Sequence, residues 1–300
     1  MKKILFIRSG KAFLPEINAY INYFNKSGEF EAFDSSNIEG EYILNDFDII
    51  WEFKGIGGLK VKDQILIHEY ASLSTGAFPR LKNILKTKLN YKPYLRIFLN
   101  EDVRKEFNFK DNIDYCYRDM GIDESFLKVE NGKKEFDFVY VGSISKEREI
   151  DKLLRKFTEN NNGNICLIGD VEDKIFKKYK NNKNIIFTGK VSYEEVPKIA
   201  SKAEFGINFI PDKYPFNIQT STKLLEYLAL GLKVVTTDYK WVRKFEKKYK
   251  CSFYKLNKDL QFNIEDIQKY KFISNFNAKD FLWDSIFKRI NLIKKIKGLA

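Results

Sequence analysis

The sequence predicts an α/β protein built as two domains, each a parallel sheet covered by helices. Three observations lead there. Short apolar runs alternate with segments of helical period along almost the whole chain, the pattern of repeated βα units. At 300 residues the chain is long enough to bury two ordinary cores. The polar stretch from Lys128 to Glu135 interrupts the alternation near the middle and reads as a linker.

In the first half the expected strands are Lys3 to Arg8, Phe30 to Phe33, Ile49 to Phe53, Gln64 to Glu69, Leu95 to Leu99 and Ile113 to Tyr117. The second series is Phe136 to Val141, Ile165 to Ile168, Asn184 to Thr188, Phe205 to Phe209, Lys233 to Thr237 and Ser252 to Tyr254. Phe281, Trp283, Ile286, Phe287, Ile290 and Ile293 recur at helical spacing, which predicts one amphipathic terminal helix. The domain boundaries are placed at 1–130 and 131–274, with the terminal helix, 275–300, packing back toward the first domain. No apolar run reaches the roughly 18 residues needed to cross a bilayer, and Ile4 to Ile7 is too short for a signal-peptide core.

Composition narrows the partners. With 53 Lys and Arg against 41 Asp and Glu, the net charge is +12, which favours anionic partners: nucleic acid, anionic lipid or phosphorylated small molecules. The cysteines, Cys116, Cys166 and Cys251, are far apart and each sits in an apolar run, which argues against a disulfide framework or a thiolate metal cluster and for core thiols in a reducing compartment.

Thr220 to Asp238 is the most informative stretch. Ser221 or Thr222 can cap a helix whose first-turn N–H groups and dipole would face an anion, and Lys223 adds a full charge. Glu226, one turn later, can accept two hydrogen bonds from a ribose diol. Gly231 ends the helix before a buried strand. An amphipathic helix merely packed on a sheet has the same pattern. Ligands of open α/β sheets lie outside the carboxyl ends of the strands, so the residues that follow strands are the next candidates. Gly142-Ser143-Ile-Ser-Lys146-Glu-Arg148 offers a close backbone approach and two cations able to clamp a diphosphate. Gly169-Asp170 and Gly189-Lys190-Val191-Ser-Tyr193 are glycine loops that can admit a base, although any tight βα turn also favours glycine.

Taken together, Val139 to Asp151, Cys166 to Asp170, Ile186 to Val191 and Lys223 to Val235 resemble, in order and spacing, the donor domain of the GT-B fold glycosyltransferases of the group 1 retaining family, over about residues 136–240. The resemblance implies two Rossmann-like βαβ domains facing a cleft and a nucleotide-sugar donor, a UDP- or GDP-sugar, held mainly by the second domain. Arg148 matches the family's phosphate-binding basic residue, Glu226 its ribose-binding carboxylate, and Gly189 to Val191 would border the base. Two departures stand out. A basic residue expected after the first glycine is Ser143, with Lys146 or Lys223 as substitutes. A second carboxylate would fall at Ile218, where Asn217, Gln219 and Thr220 instead offer neutral partners for sugar hydroxyls. No metal is expected, since cations and dipoles can stabilise the leaving diphosphate.

In the first half, the sole histidine, His68, matches a family histidine that points from a strand end toward the donor sugar, a positioning role; a lone histidine is otherwise more often structural. Glu69 would orient that imidazole or contact the acceptor, or stand as a surface carboxylate. Arg118, in Tyr117 to Asp123, would face the cleft on the acceptor side. Gly10, in Ser9-Gly-Lys11, stands where the family brings backbone near the donor phosphates, and Gly55 to Gly58 is a further loop after a strand. Residues 71–100 carry Arg80, Lys82, Lys86, Lys88, Lys92 and Arg96 and no acidic residue, with Phe78, Leu81, Ile84, Leu85 and Leu89 at helical spacing. Residues 78–96 are therefore expected either to rest on an anionic membrane surface or to pack as a helix with a solvated outer face.

The function expected is transfer of a sugar from a nucleoside diphosphate sugar to a glycan or glycolipid acceptor, with retention, in bacterial surface polysaccharide synthesis, in the cytoplasm or peripherally on the inner face of the membrane. Two competitors are a nucleotide-sugar epimerase of the same fold and a DNA-directed glycosyltransferase or nucleic-acid-binding protein. The dispersed basic residues and the lack of a nucleic-acid motif weigh against the last.

Overall fold

The computed structural model describes residues 1–8, 14–38, 43–130, 132–158 and 162–299. The chain divides into two compact units, Met1–Gly121 with Asp280–Ala300, and Ile122–Lys279. Each is built on a six-stranded, wholly parallel sheet. Such sheets bury both faces, which is why their strands read as nearly continuous apolar runs.

The first unit runs β1 (Lys2–Arg8), α1 (Pro15–Lys26), β2 (Phe30–Asp34), β3 (Ile49–Phe53), β4 (Ile65–Tyr70), α2 (Pro79–Leu89), β5 (Leu95–Phe98), α3 (Glu101–Phe107) and β6 (Asp114–Tyr117), in the order β2-β1-β3-β4-β5-β6. On one face Phe6, Tyr20 and Trp51 form an aromatic core, with Tyr20 at 5.4 Å from Phe6 and 4.7 Å from Trp51 between ring centroids. Phe287, from the chain's last segment, stacks on Tyr20 at 4.5 Å.

The second unit runs β7 (Phe136–Val141), α4 (Ile150–Phe157), β8 (Ile165–Ile168), α5 (Asp173–Tyr179), β9 (Ile185–Gly189), α6 (Glu195–Ala200), β10 (Ala203–Asn208), α7 (Thr222–Ala229), β11 (Lys233–Thr237), α8 (Lys240–Tyr249), β12 (Tyr254–Leu256) and α9 (Ile264–Lys269), with order β12-β11-β10-β7-β8-β9. From β7 the chain moves outward through β8 and β9, then returns to the other side of β7 with β10. The strand order therefore reverses between β7 and β10, where open α/β sheets gather their ligands.

Every predicted strand is present, with ends shifted by two residues or fewer. Two expectations need correction. The break between units falls at Gly121–Ile122, ahead of the polar stretch, because Ile122 and Phe126 are buried in the second unit, Phe126 with its ring centroid 5.6 Å from that of Tyr193. The single terminal helix is two: α10 (Trp283–Arg289) and α11 (Leu292–Lys297) are separated at Asn291, whose φ of 50° is left-handed. Both bury their apolar sides in the core of the first unit, through Trp283, Ile286, Phe287, Leu292 and Ile296.

Trp283 fixes this return. Its ring lies where a Cβ on Gly121 would be only 2.4 Å away, so the last residue of the first segment has no room for a side chain. The Arg118 guanidinium sits 5.1 Å from the Trp283 ring centroid. Trp283→Ala is expected to cost about 3–5 kcal/mol, the range for a buried large-to-small aromatic change, read as a lower midpoint in urea unfolding.

Candidate donor site

The site is assembled where β7 and β10 end. Gly142 follows β7 with a φ of 134°, and its N–H donates to the Ile168 carbonyl at 2.9 Å. At the end of β8, Gly169 has a φ of 145°, and a Cβ there would meet the Gly142 carbonyl oxygen at 2.2 Å. Only glycine serves where two strand ends abut in this way. Gly189, the last residue of β9, completes the row by accepting the Gly169 N–H at 3.0 Å.

Above this row stand two cations. The Lys223 ammonium lies 3.9 Å from the Tyr140 ring centroid and 3.5 Å from the position a Gly142 Cβ would take. The Arg148 guanidinium lies 4.5 Å from the Phe216 ring centroid. Among the described residues neither makes an ion pair with a carboxylate, and each is held by an aromatic face instead. Burial pushes the Lys223 ammonium well below the ordinary lysine range, the nearby Arg148 charge pushes it further, and Glu226 offsets part of this. A pair of cations in this state is stabilised by an arriving anion.

The helix entrance differs from expectation in one respect. Ser221 occupies the cap position of α7 but makes no cap hydrogen bond. Its hydroxyl donates to Asn208 Oδ1 at 2.7 Å, while Asn208 Nδ2 donates to Thr236 Oγ1 at 2.9 Å and to the Tyr239 hydroxyl at 3.0 Å. This buried chain anchors the helix start to β10 and β11 and leaves the first-turn amides of α7 without a side-chain acceptor, so that they add to the anion-attracting field. Thr222 opens the helix and is half-buried.

Glu226 is buried one turn into α7 and accepts the Tyr193 hydroxyl at 2.8 Å. Burial raises its carboxyl to about 7, against the lowering effects of Tyr193 and Lys223. The adjacent Tyr227 fixes the helix on the sheet: its hydroxyl accepts the Val141 N–H at 2.8 Å, and its ring lies where a Gly206 Cβ would be 2.4 Å away. Asn208, Tyr140, Tyr193 and Phe216 belong to this construction and carried no assignment from sequence. For Tyr193 the signal was its place directly after the Gly189 loop.

The other donor-side candidates are more peripheral. Ser143, Lys146 and Lys190 are exposed, and Val191 is half-buried. The Ser143 carbonyl accepts the Tyr140 hydroxyl at 3.2 Å, which orients that ring under Lys223. Asn217 Nδ2 donates to Asp212 at 3.0 Å and Gln219 Nε2 to the Pro215 carbonyl at 3.1 Å, so both side chains brace their own turn; Thr220 is half-buried beside them. Gly10 lies outside the described residues.

In the first unit three expectations are corrected. His68, expected to point from its strand end toward the donor sugar, has no exposed surface; its Nε2 lies 3.2 Å from Glu52 Oε2, and Glu52 also accepts from Lys54 Nζ at 3.2 Å. Burial, with the Lys54 and Arg96 charges, lowers the imidazole below its ordinary value despite Glu52. Glu69 and Arg118, expected on the acceptor side, are 1% exposed and paired with each other at 2.7 Å. Arg118 also meets Glu16 at 3.1 Å, and Glu69 accepts the Trp51 indole N–H at 2.9 Å. These charges hold the first sheet to α1 and are consumed in doing so. Among the described residues no three His, Cys, Asp or Glu side chains are grouped to hold a metal.

With the geometry in place, comparison with known proteins gives the class. Residues 122–269, nearly the whole of the second unit, match the family described as glycosyl transferases group 1. Solved structures share the fold of the whole chain at low identity. The sucrose-phosphate synthase from Thermosynechococcus elongatus is 10% identical with a TM-score of 0.67, with all of both chains covered. AviGT4, a glycosyltransferase involved in avilamycin A biosynthesis, is 11% identical with a TM-score of 0.64, over 100% of this chain and 98% of that one. The T4 phage BGT, in complex with its UDP-glucose substrate, is 16% identical with a TM-score of 0.56, over 98% and 96%. No curated protein matches at the level of sequence. The fold is that of the GT-B glycosyltransferases, and the second unit carries the match to the group 1 glycosyl transferases.

The buried Glu226 gives a pH test of the site. Its folded-state affinity for the proton exceeds that of the unfolded chain, so the stability it contributes is complete below about pH 4.5 and is lost as pH rises through about 7. At about 1.4 kcal/mol per pH unit this amounts to about 3 kcal/mol. Glu226→Gln is expected to flatten that loss between about pH 5 and about pH 8 in denaturant titrations.

Proposed function

We propose that the second unit binds a nucleoside diphosphate sugar and that the enzyme transfers the sugar to a glycan or lipid-linked acceptor, with retention at the anomeric carbon, in surface polysaccharide synthesis. The observation that carries the donor reading is the Lys223–Arg148 pair beside the uncapped start of α7, at the point where the strand order reverses, with Glu226 one helical turn away. A diphosphate supplies the missing negative charge, and the ribose diol donates to the Glu226 carboxylate. UDP-glucose in the T4 phage BGT and UDP in the S. aureus MnaA co-structure, both of the same fold, support a uridine or related nucleotide.

In this reading the leaving diphosphate accumulates charge as the glycosidic bond breaks. Lys223, Arg148 and the α7 amides are already oriented toward that charge, so little reorganisation is needed when it develops. Gly142 lets the phosphates approach the backbone, while Tyr140 and Phe216 keep the two cations in place from below. The acceptor attacks on the face from which the diphosphate departs, so no protein nucleophile is required. Lys146, Ser143 and Lys190, all exposed, would meet the outer phosphate and the base, and the turn that Asn217 and Gln219 brace, with Thr220, would border the sugar.

Screening UDP-, GDP- and CDP-sugars by calorimetry is the direct test, and one of the first two is expected to bind. Binding should strengthen as pH rises through about 7, because the Glu226 carboxylate must be ionised to accept both ribose hydroxyls. Lys223→Ala and Arg148→Ala are each expected to lower kcat/KM by roughly 10²–10³, the scale for removal of one charge-stabilising group. Unchanged turnover in both would overturn the assignment. Conversion of a nucleotide sugar into its isomer without acceptor would favour the epimerase reading instead.

A further inference from the structure

The helix α2 is mounted with its apolar side outward. Phe78, at the cap position, is 77% exposed, and Leu81, Ile84, Leu85 and Leu89 follow it on the outer face at 54%, 46%, 36% and 58%. The inward face is polar: Asn83 is wholly buried and accepts the Ser74 N–H at 3.0 Å, and Lys86 is buried with its ammonium 5.9 Å from the Phe107 ring centroid. Tyr91 and Tyr94 continue the exposed apolar surface past the helix end. Seven of the thirteen large hydrophobic side chains exposed among the described residues thus lie between Phe78 and Tyr94. An ordinary surface helix has the reverse arrangement, its apolar stripe inside. Concentrated exposure of this kind marks a surface that something covers.

The charge around the patch indicates what. Arg80, Lys82, Lys88 and Lys92 surround it, and residues 71–100 contain no acidic side chain. Arg80 meets Glu106 of α3 at 3.9 Å. A second copy of the chain meeting this patch about a two-fold axis would set these cations against one another. An anionic bilayer surface satisfies all three features together: aliphatic side chains enter the acyl boundary, tyrosines sit at headgroup level, and the cations meet lipid phosphates. We infer that the outer face of α2, from Phe78 to Tyr94, is a docking surface for an anionic lipid bilayer. This stands apart from the donor reading, since every residue involved belongs to the first unit.

Flotation of the full chain with vesicles tests the inference. Co-flotation is expected with phosphatidylcholine containing phosphatidylglycerol and not with phosphatidylcholine alone. The triple variant Leu81→Ser, Leu85→Ser, Leu89→Ser should reduce the bound fraction at least tenfold, on the order expected for loss of three buried aliphatic chains. Lys88→Gln and Lys92→Gln should each weaken binding about fivefold. All of these positions are exposed, and an unchanged melting temperature would show that the variants fold. Binding of the nucleotide sugar in the same variants should equal that of the parent, which separates failure of this inference from failure of the donor assignment. The inference is overturned if anionic vesicles leave the chain unbound, if the triple variant floats as well as the parent, or if the parent instead forms a dimer that the variant abolishes.

Discussion

The candidate donor site rests on holding two like charges together with no carboxylate paired to either among the described residues. Lys223 and Arg148 approach each other at the end of β7, and each is braced by a ring, Tyr140 and Phe216, and not by an acid. A carboxylate in their place would stabilise the empty fold and compete with the ligand. Aromatic faces offer weaker attraction and keep the full electrostatic demand for an incoming anion. Much of the surrounding structure serves this end: the glycine row lets the strand ends abut, Tyr227 ties α7 to Val141, and the Ser221–Asn208 contact fixes the helix entrance while sparing its amides.

The two units treat buried charge in opposite ways. In the second, the charged groups of the site are left partly uncompensated at a strand-end opening. In the first, charge is spent internally. Arg118 is shared between Glu16 and Glu69, and Glu52 between Lys54 and His68, so the C-terminal ends of β3 and β4 are tied by polar networks where a purely apolar core would be expected. Buried pairs of this kind are poor sources of net stability but costly to break from one side. They specify how α1 and the loop Gly55–Gly58 sit on the sheet, the latter through the Lys54 ammonium donating to the Gly57 carbonyl at 2.6 Å.

How much of this could be read from sequence follows from the range of each interaction. The strands were legible because a parallel strand buried on both faces writes its burial directly as a run of apolar residues, as in Phe136–Val141 and Lys233–Thr237, which match residue for residue. The placement of Lys223 and Glu226 one turn apart on α7 was legible because helix geometry alone sets it. What could not be read depends on partners distant in sequence. Nothing local distinguishes a Ser221 that caps its own helix from one that bonds Asn208, thirteen residues back. Likewise, Arg118 as a cation facing open space and Arg118 bonded to Glu16, 102 residues away, are the same letter in the same turn. The terminal helix failed for a different reason: its apolar spacing persists through Ile290 and Ile293, and only the left-handed Asn291 reveals that the register is carried by two pieces.

Helix α2 shows why amphipathic spacing alone does not fix orientation. Its apolar residues have the period of a packed helix, and with a polar inner face available they would ordinarily be turned inward at a gain of about 25 cal/mol per Å² of apolar surface removed from water. That gain is forgone because Asn83 and Lys86 are the residues that fit the protein side, one satisfying a backbone N–H and the other lying near an aromatic ring. Rotating the helix by half a turn would carry both polar groups out to solvent and leave the Ser74 N–H facing leucine side chains with no acceptor, at a cost of about 1–3 kcal/mol for a buried donor left unsatisfied. The sequence therefore encodes the outward face through its inward one: two polar residues three positions apart, in an otherwise apolar and basic helix, decide which side the leucines take.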